Sequence, residues 1–287
     1  MNNQPLTNNK TKMKKKICLT TLEFPPDVGG VGESAHRIAK MLVDFGYEVH
    51  VVVFRAVFRT EKQMAEKGEY RRPSCQTNLQ DGIFVHRLKT AVRSTIAKDQ
   101  DYFADLYGQI RGLHQKYQFD LFHAFFINET GFLSTLIAKE NNLPVINSVR
   151  GADLHKHIFS PQQFGQIRWT LENSDWVTFV SRDLMNRARV IVPGITNKSS
   201  AFWNSIVPLE LDNLPTPPLV DRLKGKIIGS VGRFRDKKGL EYLFDACQKL
   251  SQETELTLLL VGDFVAKEKD YWHRELEKSG LGDRVII

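Results

Sequence analysis

The chain has 287 residues, of which 41% are apolar and 25% are charged, and its formal net charge is +7 at pH 7. It is long enough for two globular domains, while its apolar stretches are too short to cross a bilayer and do not form a signal peptide. We therefore expect a cytoplasmic protein.

Five lysines between residues 10 and 16 supply +5 of the net charge, so the rest of the chain carries only +2. We predict that residues 1–13 form a disordered basic tail, which is also compatible with peripheral contact with an anionic membrane at its inner face. Outside this tail, no basic stripe interleaved with aromatic residues indicates nucleic-acid binding. The cysteines Cys18, Cys75 and Cys247 lack the paired spacing of a disulfide framework or a metal site, so no metal is expected.

The chain opens with the pattern strand, long loop, helix, strand. Ile17 to Leu19 predict a strand, an apolar stripe from Ala35 to Val43 has helical spacing, and Val49 to Phe54 predict a second buried strand. Gly46 is placed to end the helix. Two consecutive strands joined by a helix run parallel, so this segment predicts a βαβ unit.

The loop of this unit contains Gly30-Val31-Gly32-Glu33-Ser34-Ala35, which formally matches the glycine fingerprint of dinucleotide-binding proteins. Two features argue against an NAD-dependent oxidoreductase. The stretch from Glu23 to Val28 separates the glycines from the strand, and the second strand ends at Arg55 instead of at an acidic residue. The glycines still allow a ligand to approach the backbone closely, although a flexible loop without a ligand would have the same sequence.

The rest of the first half alternates strands with helices. We predict loop with some helix over 56–80, strands over 81–88, 119–126, 144–150 and 174–181, and helices over 101–118 and 129–141. The strand over 119–126 is expected to end near His123. Together these elements predict one doubly wound α/β domain over residues 14–206, whose ligands would bind beyond the carboxyl ends of the strands.

Four polar residues lie at the ends of predicted strands, namely His123, Arg150, Asp153 and Ser181. Each has an ordinary structural explanation, since a histidine can lie at the rim of a sheet, Arg150 and Asp153 can form a local ion pair, and Ser181 can cap a helix. A set of polar residues at successive strand ends also converges on one cleft, so it equally predicts a binding site.

Residues 207–223 include four prolines and no helical period, which predicts a linker. A second α/β unit follows over 224–287, with strands over 226–232 and 256–264, helices over 239–251 and 267–278, and the start of a third strand at Arg284 to Ile287. We expect this second domain to be incomplete, with an exposed sheet edge at that third strand.

The junction between the first strand and first helix of the second unit is rich in cations. Gly232 and Arg233 end the strand, and Lys238 and Gly239 precede the helix. Backbone N–H groups in the first turn of a helix lack partners and carry partial positive charge, so this turn suits an anion such as a diphosphate. A solvated basic loop without a ligand would have the same composition. These residues alone therefore do not decide between a diphosphate-binding turn and such a loop.

With all motifs in order, the chain resembles the group 1 retaining glycosyltransferases, a nucleotide-sugar-dependent family with a GT-B fold of two Rossmann-like domains. The resemblance covers residues 16–287 and rests on four motifs and on the proline-rich linker between the domains. The motifs are Pro25-Pro26 with Gly29-Gly30, Phe119-Asp120 with His123, Arg150-Gly151-Ala152-Asp153, and Gly232-Arg233 with Lys238-Gly239.

The resemblance implies that a UDP-, GDP- or ADP-sugar binds mainly to the C-terminal domain, and that a saccharide or lipid-linked acceptor binds to the N-terminal domain. The nucleotide-sugar is a substrate, so no cofactor is implied. Arg233 and Lys238 match the family's diphosphate-binding cations, with Gly232 beside them, and Gly29 and Gly30 match the glycine loop near the diphosphate. His123 and Asp153 match catalytic or acceptor-side positions; Gly30, Arg150 and Ser181 also fall on the acceptor side.

The chain departs from the family at several positions. Many members have His where this chain has Arg150, which makes contact with an anionic acceptor conceivable. The acidic motif that holds the donor ribose would lie beyond Ile287. We therefore expect a glycosyltransferase of envelope or exopolysaccharide synthesis, truncated and inactive alone. The alternative is a non-catalytic acceptor-binding module completed by a partner chain.

Overall fold

The computed structural model describes residues 14–54, 66–92, 99–206, 208 and 214–287. The predicted basic tail, part of the predicted loop over 56–80 and part of the predicted linker lie outside these residues. The chain divides into two compact units, one ending at Ile206 and one beginning at Val207. Each unit is described by itself.

The first unit contains an eight-stranded sheet with the order β3-β4-β2-β1-β5-β6-β7-β8. All neighbouring strands are parallel except β3 and β4. The strands are β1 (Lys16–Thr21), β2 (Glu48–Phe54), β3 (Ser74–Gln80), β4 (Ile83–Lys89), β5 (Leu121–Phe125), β6 (Val145–Val149), β7 (Trp176–Phe179) and β8 (Ser199–Ala201). The order reverses beside β1, as in a doubly wound α/β fold, and this confirms the predicted fold class.

The helices of the first unit connect the parallel strands. They are α1 (Gly30–Asp44), α2 (Asp99–Tyr117), α3 (Glu129–Glu140), the one-turn α4 (Ala152–His155), α5 (Pro161–Asn173) and α6 (Arg182–Ile191). Within the described residues, no helix of either unit has the length and apolar character needed to span a membrane.

The central strands β1 and β2 are buried on both faces of the sheet, which explains why β2 in particular is a nearly continuous apolar run. Val51 and Val53 pack with Ala35 and Ala39 of α1 on one face. The intervening residues Val52 and Phe54 point to the other face and join a cluster with α2 and α3. Because successive side chains of β2 point to opposite faces of the sheet, this strand contributes apolar residues to a core on each face.

Ser74–Gln80 forms an antiparallel edge strand, so the prediction of loop with some helix was wrong for this segment. Six of its seven residues are exposed, which removes the apolar alternation that normally marks a strand. The strand exists because Asp81 and Gly82, with φ of 51° and 77°, form a two-residue turn onto β4. Asp-Gly is a strong hairpin signal, and it was present in the sequence.

Two further boundaries differ from the predictions. The glycine-rich segment assigned to a loop is the first turn of α1, which begins at Gly30 with Gly29 as its N-cap. Strand β5 continues two residues past His123 to Phe125, so His123 lies within the strand and not at its end. The second difference arises because Ala124 and Phe125 are buried and keep the strand paired with β6.

The second unit contains a three-stranded parallel sheet with the order β11-β10-β9. Its elements are β9 (Lys226–Val231), α7 (Leu240–Leu250), β10 (Leu256–Val261), α8 (Lys269–Lys278) and β11 (Val285–Ile286). Apolar residues of α7, Trp272 of α8 and alternate residues of β10 form one core. Part of the predicted linker, Pro218–Arg222, is a short 3-10 helix.

A buried histidine pair joins β2 to β4 in the first unit. His50 Nδ1 and His86 Nε2 lie 2.9 Å apart, and the outer nitrogens contact Glu48 Oε1 at 3.0 Å and Thr77 Oγ1 at 2.8 Å. Burial lowers the pKa of both imidazoles, with His86 reaching about 4, helped by the charges of His50 and Lys116. Both rings are therefore neutral at neutral pH.

This pair predicts acid sensitivity of the first unit. The pKa of His86 is lower in the folded chain, about 4, than in the unfolded chain, about 6.5, so acid protonates the unfolded state first. Stability should then fall as the pH drops from about 6.5 to about 4, by up to about 3 kcal/mol. Urea unfolding across this range should show a weaker pH dependence for His86→Gln than for the wild type. His155→Gln, at an exposed position, is the control variant. The same pH dependence of the free energy of unfolding in the wild type and in His86→Gln would contradict the assignment.

Candidate active site

The loop between β1 and α1 is fixed in place by Arg87 of β4. The Arg87 guanidinium donates to the carbonyl oxygens of Phe24 and Pro25 at 2.9 and 2.6 Å, and to the Asp27 carboxylate at 2.9 Å. Phe24 itself is fully buried. The loop is thus held at the carboxyl edge of the sheet, immediately before the glycine-rich start of α1.

The glycines at the start of α1 differ in what surrounds them. A Cβ on Gly29 would lie 1.9 Å from the Glu23 carboxylate, and one on Gly32 would lie 3.1 Å from the Glu23 backbone. Nothing lies within 4 Å of the position that a Cβ on Gly30 would occupy. Backbone packing favours glycine at position 32, whereas the contact at Gly29 is with the movable end of the Glu23 side chain, and the space beside Gly30 is open for a ligand.

Arg150 connects three segments at the carboxyl edge. It follows β6, and its Nη2 donates to Ser34 Oγ in the first turn of α1 at 2.7 Å and to Asn204 Oδ1 after β8 at 3.1 Å. Its guanidinium also lies 5.0 Å from the centre of the Phe125 ring. These side-chain partners are neutral. Among the described residues, no carboxylate forms a hydrogen bond with the Arg150 guanidinium, so its positive charge is available at this edge of the sheet.

His123 begins a row of polar side chains that crosses three strands. Its Nε2 lies 2.9 Å from Ser148 Oγ of β6, which in turn lies 2.7 Å from Thr178 Oγ1 of β7. Burial and the nearby charge of Arg150 lower the pKa of His123 to about 4. At neutral pH the imidazole is therefore uncharged and serves as a hydrogen-bonding group, not as a cation.

Asp153 is completely buried and binds backbone groups instead of the Arg150 side chain. Its carboxylate accepts from the N–H groups of Ile127 and Arg150, both at 2.8 Å, and of Gly151 at 3.2 Å. Burial raises its pKa, and these backbone hydrogen bonds oppose that rise. The alternative explanation, a local ion pair of Arg150 and Asp153, does not include a hydrogen bond between the two side chains. Asp153 instead fixes the turns after β5 and β6, and with them the backbone from which the Arg150 side chain extends.

Ser181 has the capping role that its position suggested. Its Oγ accepts from the N–H of Leu184 at 3.2 Å, at the N-terminus of α6. It also lines a cavity of about 550 Å³ together with Arg182, Ala201, Phe202 and Trp203. Sequence reasoning missed Phe202, Trp203 and the contact of Asn204 with Arg150. The adjacent aromatic pair itself was the available signal, because the short strand β8 that precedes it was not predicted.

In the second unit, glycines shape the turns after β9 and β10. Gly232 and Gly262 have φ of 153° and 136°, in the region that favours glycine. A Cβ on Gly262 would lie 2.0 Å from the carbonyl oxygen of Gly232, so the two turns touch. Beyond them, Phe234 is buried and its N–H donates to Asp263 O at 2.9 Å.

This packing leaves the cations Arg233 and Lys238 of the second unit exposed to solvent. Because Phe234 enters the core, the preceding Arg233 is exposed, and Lys238 is exposed at the end of a short 3-10 helix. Gly239, with φ of 67°, is the N-cap of α7 and provides no capping side chain. Neither cation forms an ion pair or a side-chain hydrogen bond with another described residue. Two unpaired charges therefore lie in the turn between β9 and the eleven-residue helix α7, with Lys238 directly before the N-cap of that helix.

Comparisons with known proteins agree with this arrangement. Residues 29–194 match the family model described as a glycosyl transferase 4-like domain, and residues 218–287 match the model for glycosyl transferases group 1. The chain belongs to the group 1 glycosyltransferase family. Its predicted membership and its GT-B-like fold class are thereby confirmed.

A curated relative and two solved structures show how far this likeness extends. This group 1 family member is 24% identical over 260 residues to N-acetyl-alpha-D-glucosaminyl L-malate synthase of Bacillus anthracis, covering 88% of the chain and 62% of the relative. Sucrose-phosphate synthase of Thermosynechococcus elongatus matches with TM-score 0.65 and 17% identity, over 95% of this chain and 70% of that one. Anabaena HepE in complex with UDP matches with TM-score 0.66 and 18% identity, over 94% of this chain and 68% of that one.

In this group 1 family member, the structure brings together some predicted site residues within each unit. The Arg150 side chain donates a hydrogen bond to Ser34 near the start of α1, and the Asp153 carboxylate accepts one from the backbone N–H of Arg150. Arg233 and Lys238 lie in the same turn, between β9 and α7. Ser181 lines the cavity near β8, while His123 faces Ser148 and Thr178. The roles of these residues in binding or catalysis stay predictions.

Asp153→Asn should destabilise the first unit by about 1–3 kcal/mol, because the amide group would replace an acceptor with a donor facing backbone N–H groups. The check is the shift in the thermal unfolding midpoint. Asp183→Asn is the matched control, since that carboxylate is exposed and pairs only with Arg187, at 2.9 Å. Equal midpoints for the two variants would contradict the structural role of Asp153.

Proposed function

We propose that the chain is the acceptor-binding part and a portion of the donor-binding part of a retaining glycosyltransferase that moves a sugar from a nucleotide-sugar to a saccharide or lipid-linked acceptor. A role in envelope or exopolysaccharide synthesis is part of this proposal. The observation that carries it is the pair of unpartnered cations, Arg233 and Lys238, in the turn between β9 and α7. The two matched family models support it.

The chemistry explains why free cations matter. When the bond between the sugar and the nucleotide breaks, negative charge develops on the leaving diphosphate, and positive charge develops on the sugar. Fixed donors aimed at the diphosphate stabilise that transition state without reorganising. Arg233, Lys238 and the free N–H groups of α7 supply such donors, and they would act where other transferases place a divalent metal.

The acceptor would bind at the carboxyl edge of the first unit. There, Gly30 leaves open space, Arg150 supplies a charge, and neutral His123 and Ser181 supply polar contacts. Asp153 acts in this proposal as a positioning residue for Arg150, because its carboxylate is buried against backbone groups. Gly29 shapes the same glycine turn on the side that would face the diphosphate.

The names of the similar proteins support a nucleotide-sugar donor. One structure is described as a complex with UDP, and the curated relative is named as a synthase of N-acetyl-alpha-D-glucosaminyl L-malate. We therefore favour a UDP-sugar among the three nucleotides that the family uses. The chain spans 62% of the length of that curated relative, so donor and acceptor identity both belong to the proposal.

The donor role of Arg233 predicts a specific loss of diphosphate recognition. Arg233→Ala should weaken binding of UDP by 10- to 100-fold, about 1.4–2.8 kcal/mol, while leaving the affinity for UMP nearly unchanged. Isothermal titration of both nucleotides with each variant measures this difference. Arg274→Ala, at an exposed position on α8, removes the same charge and serves as the control.

An equal loss of UDP and UMP affinity in Arg233→Ala would contradict a diphosphate contact. So would a loss of the same size in Arg274→Ala, because the effect would then reflect net charge alone. Where transfer occurs, the anomeric configuration of the product, measured by NMR, tests retention: an inverted product overturns that part of the proposal.

A further inference from the structure

The cavity near the end of the first sheet has features that capping and packing do not explain. It occupies about 550 Å³ and is lined by Ser181, Arg182, Ala201, Phe202 and Trp203. These residues come from the ends of β7 and β8 and from the first turn of α6. In doubly wound sheets, ligands bind at this carboxyl edge.

Two aromatic side chains of this cavity face solvent. Trp203 is 83% exposed and Phe202 is 54% exposed. Contiguous exposed apolar surface is one mark of an interaction or ligand-binding site. The segment that carries them is fixed, because Arg37 donates to the Ser205 carbonyl at 3.1 Å and Arg150 donates to Asn204 Oδ1 at 3.1 Å. The two rings are thus presented on an anchored backbone.

Arg182 is placed where its charge has no structural use. It is the first residue of α6, at the positive end of the helix dipole, where a cation is unfavourable. The neighbouring Asp183 is paired with Arg187 at 2.9 Å, and Arg182 has no carboxylate partner among the described residues. An exposed guanidinium beside free aromatic rings suits an anionic ligand, since arginine binds carboxylate and phosphate groups through two parallel hydrogen bonds.

We propose that this cavity binds an acceptor that carries a carboxylate or phosphate next to a sugar ring. The apolar face of the ring would stack on Trp203 and Phe202, and the anionic group would pair with Arg182. Arg150, linked to the cavity through Asn204, would add positive potential. The inference rests on the proposed function and names the chemical class of its acceptor.

The test measures binding to the 287-residue chain without any donor. Glucuronate and glucose 1-phosphate carry the two anionic groups, and glucose carries neither. Isothermal titration should show that at least one of the two anions binds about tenfold more tightly than glucose. Arg182→Gln should remove that preference. Arg168→Gln should retain it, because Arg168 is exposed on α5 and pairs with Glu172 at 2.8 Å.

Trp203→Leu provides a second variant at an exposed position, where loss of folding is not expected. This substitution should weaken the binding of anionic sugars without changing the affinity for UDP. Equal binding of glucose and both anions, or equal effects of Arg182→Gln and Arg168→Gln, would overturn the inference. UDP binding measured on the same samples separates this result from a failure of the proposed function: intact UDP binding with no anion preference rejects only the acceptor class.

Discussion

The direction of the parallel strands determines where this protein can carry function. Each parallel strand must be followed by a crossover, so the turns that leave the carboxyl ends collect at one edge of each sheet. In the first unit this edge gathers the start of α1, Arg150 and the cavity near Trp203. In the second unit it gathers Gly232, Arg233 and the N-terminus of α7. Side chains far apart in the sequence, such as Ser34, Arg150 and Asn204, meet because of this constraint.

Several cations at these two edges lack the acidic partners that other surface arginines have. Elsewhere on the surface, Arg37, Arg168 and Arg187 pair with acidic residues four positions away. Arg150 instead contacts a hydroxyl and an amide, while Arg182, Arg233 and Lys238 have no acidic partner among the described residues. The histidine beside Arg150 is held neutral, so it adds no competing charge.

Much of the fold could be predicted from the sequence, because buried parallel strands are long apolar runs and their helices have clear apolar stripes. The strand of Ser74–Gln80 could not be found this way, since its residues are exposed and its only signal is the turn at Asp81-Gly82. The site was predictable where glycines and cations mark a turn, as at Gly232-Arg233. The burial of Asp153 against backbone groups and the grouping of Trp203 with Arg182 depend on tertiary contacts, which spacing along the chain does not reveal.

The most direct test of the central claim is a crystal structure of the chain with UDP. The account predicts that the diphosphate lies at the N-terminus of α7, with Arg233 and Lys238 within hydrogen-bonding distance of its oxygens. A diphosphate bound away from that helix, with both cations still facing solvent, would contradict the account.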